Sequence, residues 1–154
     1  MEGTRIMQQD LVMSERVKAA ESAISAWVRA QYPAFAGKTR VSRPALVAEA
    51  LAYTLVHPPT AEQLAGYLEQ FAEDRADVAH NRGGSFLTNA ALTATMRALH
   101  DVLIAQLGLG TREWLLLHNH QGGANQRAVY YVALRTMADA VSAEGQGNVP
   151  AIED

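Results

Sequence analysis

Cysteine is absent from the 154 residues of this chain. Disulfide bonds, thiolate nucleophiles and cysteine-ligated zinc or iron–sulfur centres are therefore excluded. The chain also lacks a basic excess, because 13 Lys and Arg residues stand against 16 Asp and Glu residues, and the formal net charge is −3. Binding to a nucleic-acid backbone normally requires such an excess, so we expect no nucleic-acid partner.

Long apolar runs are missing as well. No stretch approaches the roughly 20 apolar residues of a membrane-spanning helix. Residues 1–18 mix charges with isolated apolar side chains, unlike a signal peptide. We therefore expect a soluble, cytoplasmic protein with no membrane partner, and the absence of cysteine agrees with that compartment.

What the chain has in quantity is apolar residues, which make up 49% of it and can supply the core of one domain. Alanine is abundant, and apolar residues recur every three or four positions. This rhythm predicts an all-α fold, a single compact bundle of five or six helices within residues 1–144. Residues 145–154 carry little apolar content, so we predict a flexible tail or the start of a linker there.

Cap residues divide the first half of the chain into three predicted helices. The first covers residues 10–31 and ends before Pro33, because proline disfavours helical geometry in the residue before it. Ser42 is the predicted N-cap of the second helix. Thr60 and Gln63 have the spacing of a capping box, which predicts a third helix from there to about residue 79.

A polar, glycine-bearing elbow at residues 80–85 precedes a long amphipathic helix. This fourth helix is predicted to start near Ser85 or Thr88 and to end at Leu107, where glycines follow. Thr111 is the predicted cap of a segment over 112–121, and helical character resumes through 129–140. Flexible glycines before a helix bind anions in some proteins, but this elbow lacks the spacing of a phosphate loop, so a connecting turn is the preferred interpretation.

Titratable residues do not form a convincing reactive set. Of the five histidines, His118 and His120 are two positions apart and point about 200° apart on an ideal helix, so no metal site is predicted. No serine lies in a nucleophile elbow, and no catalytic residue is predicted. The carboxylates of the third helix, among them Glu73 and Asp74, are interpreted as a solvated acidic face.

A few polar residues near apolar faces are candidate ligand contacts. Each has a competing interpretation as a turn residue or as a boundary between core and solvent. The candidates are His80 and Arg82 in the elbow, Arg97 and His100 on the fourth helix, and Trp114 and His118 after it. No cofactor can be named from them.

Four segments carry a resemblance to a known family. They are residues 23–27 (AISAW), residues 64–71 (LAGYLEQF), residues 79–86 (AHNRGGSF) and residues 96–99 (MRAL). Their order resembles the N-terminal sensory domain of bacterial stressosome regulators of the RsbR/RsbRD type, over about residues 15–107. The resemblance implies an all-helical, globin-like or bundle sensory domain that dimerises and has no catalytic residues.

Three functional hypotheses follow. The leading one is a non-catalytic helical sensory or protein-interaction domain that forms a homodimer or binds a signalling partner, and that signals through a shift of helix packing. The alternative is a small-molecule or cofactor-binding helical protein, with enzymatic activity left open, whose cleft is lined by Arg97, His100, Trp114 and His118. A structural assembly subunit is the third.

Overall fold

Six α-helices and one two-stranded sheet make up the computed structural model, which describes residues 7–37, 41–77, 84–119 and 121–152, and side chains in those ranges from Gln8 to Ser142. The strands are β1 (Met7–Leu11) and β2 (Gly84–Thr88). The helices are α1 (Glu15–Gln31), α2 (Arg43–Val56), α3 (Ala61–Ala76), α4 (Ala90–Ile104), α5 (Arg112–Leu116) and α6 (Gln126–Ile152). The predicted compact helical domain is confirmed, and the small sheet is an addition to it.

Three helices begin at the predicted cap residues. The Ser42 side chain accepts a hydrogen bond from the backbone N–H of Ala45 at the start of α2. At the start of α3, Thr60 and Gln63 exchange side-chain-to-backbone hydrogen bonds of 3.1 and 2.9 Å, which is a complete capping box. Thr111 caps α5 in the same way. Each cap stabilises its helix by about 1 kcal/mol, so these boundaries are set locally.

The start of the first helix was predicted too early. Residues 10 and 11 belong to β1, and Ser14 is the N-cap of α1, accepting a hydrogen bond from the Val17 backbone N–H at 3.3 Å. Antiparallel pairing holds β1 to β2, from Met7 opposite Thr88 to Leu11 opposite Gly84. The local sequence did not reveal this strand, because the strand that pairs with it lies in a distant part of the chain.

The start of the fourth helix was also predicted too early. Ser85 and Thr88 lie in β2, and α4 begins only at Ala90, where the Asn89 side chain accepts a hydrogen bond from the Leu92 backbone N–H at 2.9 Å. Phe86 is buried and the next residue along β2 is exposed, as the two-residue period of a strand requires. The predicted elbow therefore divides: residues 80–83 lie outside the described residues, and its last two residues are strand.

A tight loop replaces the second half of the predicted helical segment over 112–121. The α5 helix ends at Leu116, and an isolated antiparallel bridge joins His118 to Ala124. Between them the Asn119 side chain accepts hydrogen bonds from two backbone N–H groups of the loop, and Gly122 has a φ of 88°, which favours glycine. The chain reverses here and enters α6.

The centre of the fold is α6, which packs against α1, α2, α3 and α4. Its first half is buried on all sides, and Tyr130 and Tyr131 are both among the largest fully enclosed side chains. The apolar stripes of the other helices face it. The buried core side chains of those stripes include Val17, Ile24, Val28, Leu46, Leu51, Leu64, Leu68, Phe71, Met96, Leu99 and Leu103.

The far end of α6 continues beyond the packed core. The backbone is helical as far as Ile152, and the proposed tail or linker at 145–154 stays a prediction. In the described ranges no helix combines the length and the apolar content that crossing a bilayer requires.

A glycine at the start of β2 provides a test of the sheet. A Cβ at Gly84 would overlap Cγ of Met13, which is 5% exposed and has no room to move. We expect Gly84→Ala to destabilise the protein by about 1–3 kcal/mol, as overpacking does. Urea denaturation followed by circular dichroism measures the change.

The matched control is Gly66→Ala on the exposed side of α3. A Cβ there meets nothing within 4 Å, and alanine is a better helix former than glycine, so this variant should gain about 0.5–1 kcal/mol. Equal stability changes of the same sign in both variants would contradict the packing of Met13 against β2.

Candidate functional site

Three of the predicted ligand contacts come together on one side of the molecule. The ring of His118 lies 4.2 Å from that of Trp114, centroid to centroid, and 5.1 Å from that of His100, edge to face. The residues belong to α5, the loop after it and α4. Tertiary packing therefore gathers the three rings that the sequence placed in one predicted cleft.

Hydrogen bonds orient both imidazole rings of this cluster. Nδ1 of His118 lies 2.8 Å from the carbonyl oxygen of Trp114, which only accepts, so Nδ1 carries the hydrogen. Nδ1 of His100 lies 3.3 Å from a carboxylate oxygen of Asp101. His100 is buried, and its Nε2 has no hydrogen-bond partner among the described residues. The cluster thus combines two aromatic contacts with one buried nitrogen that the described part of the chain leaves unpaired.

Arg97, also a predicted contact, does not join the cluster. Arg97 is exposed on α4, and no hydrogen bond or ion pair ties it to the described part of the chain. His80 and Arg82 lie outside the described residues. In the ranges that the structure covers, no group of three His, Asp or Glu side chains is placed to hold a metal ion.

A polar network that the sequence analysis missed lies between α1, α3 and α6. Its centre is Asp74, whose side chain is only 13% exposed. One carboxylate oxygen accepts hydrogen bonds from the hydroxyls of Tyr131, at 2.6 Å, and Ser14, at 2.8 Å. The other oxygen pairs with Nη1 of Arg16 at 2.9 Å. The interpretation of Asp74 as part of a solvated acidic face was wrong, because these donors replace its water.

The network continues along α6 through Arg135 and Asp139. Nη1 of Arg135 donates to the side-chain oxygen of Gln70 at 2.6 Å, and the guanidinium lies over the ring of Tyr67, 5.2 Å from its centroid. The Tyr67 hydroxyl in turn donates to a carboxylate oxygen of Asp139 at 2.5 Å. These bonds join α3 to α6 along a second row of contacts.

A cavity of about 350 Å³ opens beside the Tyr67–Asp139 bond, between α2, α3 and α6. The rings of Tyr53 and His57 stack at one wall with centroids 4.8 Å apart, and Tyr67 lines another. Thr136 of α6 also lines the cavity, and in the ranges that the structure describes its buried hydroxyl oxygen has no hydrogen-bond partner. We name this the α2–α3–α6 cavity; its volume and mixed aromatic and polar walls suit a small ligand.

Tyr67 and Tyr131, which donate to carboxylates, are held in their neutral form. Burial raises the pKa of Tyr67 and of Tyr131 well above the ordinary value, and the hydrogen bonds to Asp139 and Asp74 raise it further. The positive charge of Arg135 lowers the pKa of both tyrosines, but less than burial raises it. Each phenol therefore remains a hydrogen-bond donor throughout the physiological pH range.

A sequence signal for this network exists. Tyr131, Arg135 and Asp139 recur every four residues on a helix that is otherwise apolar in its first half, so they form one polar row. Such a row on a buried helix indicates internal partners, because polar groups are rarely buried without hydrogen bonds.

Comparisons with family models, with curated proteins and with solved structures find no match to the chain.

The tyrosine pKa shifts predict how stability depends on pH. Tyrosine in the unfolded chain ionises near pH 10, whereas the folded protein resists ionisation of Tyr67 and Tyr131. The stability that the raised pKa values contribute is therefore fully present below about pH 10 and is lost as the pH rises above it. Urea denaturation from about pH 8 to about pH 11 should show this decline.

Tyr67→Phe is the test variant, since it removes one of the two hydroxyl groups, those of Tyr67 and Tyr131, whose raised pKa gives rise to this dependence. Its stability should fall less steeply with alkaline pH than that of the unchanged protein. Tyr53→Phe is the matched control, because Tyr53 makes no hydrogen bond through its hydroxyl to the described residues. Identical alkaline slopes for the unchanged protein and Tyr67→Phe would contradict the assignment.

Proposed function

We propose that this protein is a non-catalytic, cytoplasmic helical sensory domain that binds a small molecule in the α2–α3–α6 cavity and responds through the packing of α6. The observation that carries the proposal is the position of the cavity. Its walls include Thr136 and Asp139 on the helix that contacts α1, α2, α3 and α4. An occupant would therefore act on the one element that touches most of the fold.

The Tyr67–Asp139 hydrogen bond is the contact through which an occupant would act. It joins α3 to α6, both of its residues line the cavity, and Asp139 is exposed. A ligand with a cationic group would compete for the Asp139 carboxylate. Release of the tyrosine would then uncouple α3 from α6 at this turn, which is a differential contact of the kind that shifts a conformational equilibrium.

The chemistry of the walls favours a small organic cation. Tyrosine faces attract ammonium groups, and a carboxylate beside them adds direct charge pairing. Tyr53, Tyr67 and Asp139 supply these groups within one cavity. The prolines Pro58 and Pro59 complete an apolar wall against which methyl groups can pack.

Titration with tetramethylammonium, followed by amide chemical shifts in two-dimensional NMR, tests the binding step. We expect saturable shifts at Tyr53, Tyr67 and Thr136, and weaker binding by at least about fivefold in Asp139→Asn, which removes the carboxylate charge. The neutral analogue tert-butanol is the control ligand and should not saturate. Equal binding of both ligands, or an unchanged affinity in Asp139→Asn, would refute the proposed ligand chemistry.

Variants of the two cavity tyrosines test the transmission step. Tyr67→Phe frees Asp139 from its internal partner, so it should bind tetramethylammonium more tightly and speed hydrogen exchange in α6 without ligand. Tyr53→Phe also removes a tyrosine hydroxyl, but one that makes no hydrogen bond to the described residues. Hydrogen exchange in α6 should therefore stay unchanged in this variant. If the hydrogen-exchange rates of α6 in the unsubstituted protein are the same with and without ligand, the proposed response through α6 is refuted.

Dimerisation is the second part of the proposal and rests on the resemblance to stressosome sensory domains. Light scattering together with native mass spectrometry should give twice the mass of 16.7 kDa. A mass that stays at the monomer value at high protein concentration would refute a homodimer. A signalling partner would then be the alternative receiver of the α6 change.

A further inference from the structure

A second cavity, separate from the first, lies between α1, the beginning of α2 and β2. Its volume is about 580 Å³. Side chains from all three elements line it. The polar ones that matter here are Lys18, Ser22, Ser25, Arg29, Arg43 and Ser85. We name this the α1–α2–β2 cavity.

One wall is a polar row along α1. Lys18, Ser22, Ser25 and Arg29 are spaced four, three and four residues apart, which places them on one side of the helix. The sequence alone favours a solvated face for such a row. In the structure, the start of α2 and β2 stand opposite it, so these side chains line a concave site.

Arg43, at the start of α2, is held in place at the opposite wall. Its Nε and Nη2 pair with the two carboxylate oxygens of Glu21 at 2.6 and 3.2 Å. Its Nη1 donates to the backbone carbonyl of Ser85 at 3.0 Å. A guanidinium fixed by three bonds keeps its remaining N–H groups in a constant direction, so less side-chain entropy is lost when it binds a ligand.

The charge of the cavity opposes that of the whole protein. Lys18, Arg29 and Arg43 supply three positive charges. Glu21 pairs with Arg43, and Glu15 pairs with Lys18 at 3.6 Å, so these five side chains carry a net charge of +1. The chain as a whole carries a formal charge of −3. A concave positive region on an acidic protein concentrates anions locally.

We infer that the α1–α2–β2 cavity binds a phosphate monoester of a small hydroxylated molecule. Arginine and lysine are the side chains that bind phosphate oxygens best, through charge-assisted hydrogen bonds. Three serines line the same cavity and can pair with hydroxyl groups. The cavity is in the size range of small-molecule sites, so it has room for a body beyond the phosphate itself.

The test compares glucose 6-phosphate, inorganic phosphate and glucose as probes, by calorimetry and by amide chemical shifts at low ionic strength. We expect saturable binding of glucose 6-phosphate with shifts at Ser22, Ser25 and Ser85, weaker binding of inorganic phosphate and none of glucose. Glucose 6-phosphate and inorganic phosphate binding with equal affinity would overturn the monoester assignment. Absence of saturable shifts with both anions would overturn the site.

Charge-removing variants separate a built site from general attraction. Arg29→Gln should weaken glucose 6-phosphate binding by about fivefold or more, since it removes one charge-assisted contact. Arg97→Gln is the matched control, because it makes the same charge change on the exposed side of α4. Equal weakening in both variants would show non-specific attraction and overturn the inference.

Ser22→Ala tests recognition of the sugar hydroxyls and leaves the charge unchanged. It should weaken glucose 6-phosphate binding while inorganic phosphate binding stays the same. Melting temperatures of all three variants, measured without ligand, establish that each is folded. A loss of affinity for both anions in folded Ser22→Ala would contradict the assignment of the serines to the hydroxylated body.

Discussion

The carboxylate of Asp74 is the point on which the arrangement of the outer helices depends. It accepts hydrogen bonds from Ser14 and Tyr131 and pairs with Arg16. Ser14 is also the residue that caps α1, so one carboxylate fixes the start of α1, the last turn of α3 and the rotation of α6. A carboxylate this enclosed requires such partners, because burying a charge without them is costly.

At both cavities, a charged side chain is already paired with an internal partner. At the α2–α3–α6 cavity an internal donor, Tyr67, occupies the Asp139 carboxylate. At the α1–α2–β2 cavity an internal acceptor, Glu21, occupies part of the Arg43 guanidinium. Under the proposed ligand chemistry, a ligand would replace the first pair, whereas the second pair, with the bond from Nη1 to the Ser85 carbonyl, would hold the Arg43 guanidinium in position for an anion.

The parts of the fold that the sequence predicted are those determined by neighbouring residues. Ser42, Thr60 and Thr111 cap their helices through bonds to residues three positions away. The strands could not be found in this way, because β1 is a mostly polar segment and its partner strand is distant: Gln8 lies opposite Leu87. Its pairing is a tertiary contact without a local signal.

The candidate sites likewise separate into contacts between neighbouring residues, which could be predicted, and contacts between distant residues, which could not. Trp114 and His118 are one turn apart, so their contact was open to prediction, and packing of α4 then added His100. Asp74 and Asp139 were missed because a carboxylate on a helix is usually solvated, and their partners Tyr131 and Tyr67 are 57 and 72 positions away. Identifying them requires knowing which faces of α3 and α6 meet.

The packing of α1 against α6 has a consequence for how the chain acquires its fold. The first helix finds most of its apolar partners on the last one, so nearly the whole chain must be available before the core can close. Contacts between distant segments carry a large loop-closure entropy and slow folding in proteins of similar size. During synthesis, the apolar stripe of α1 therefore lacks most of its packing partners until α6 has been made, and such exposed apolar surface is prone to aggregation.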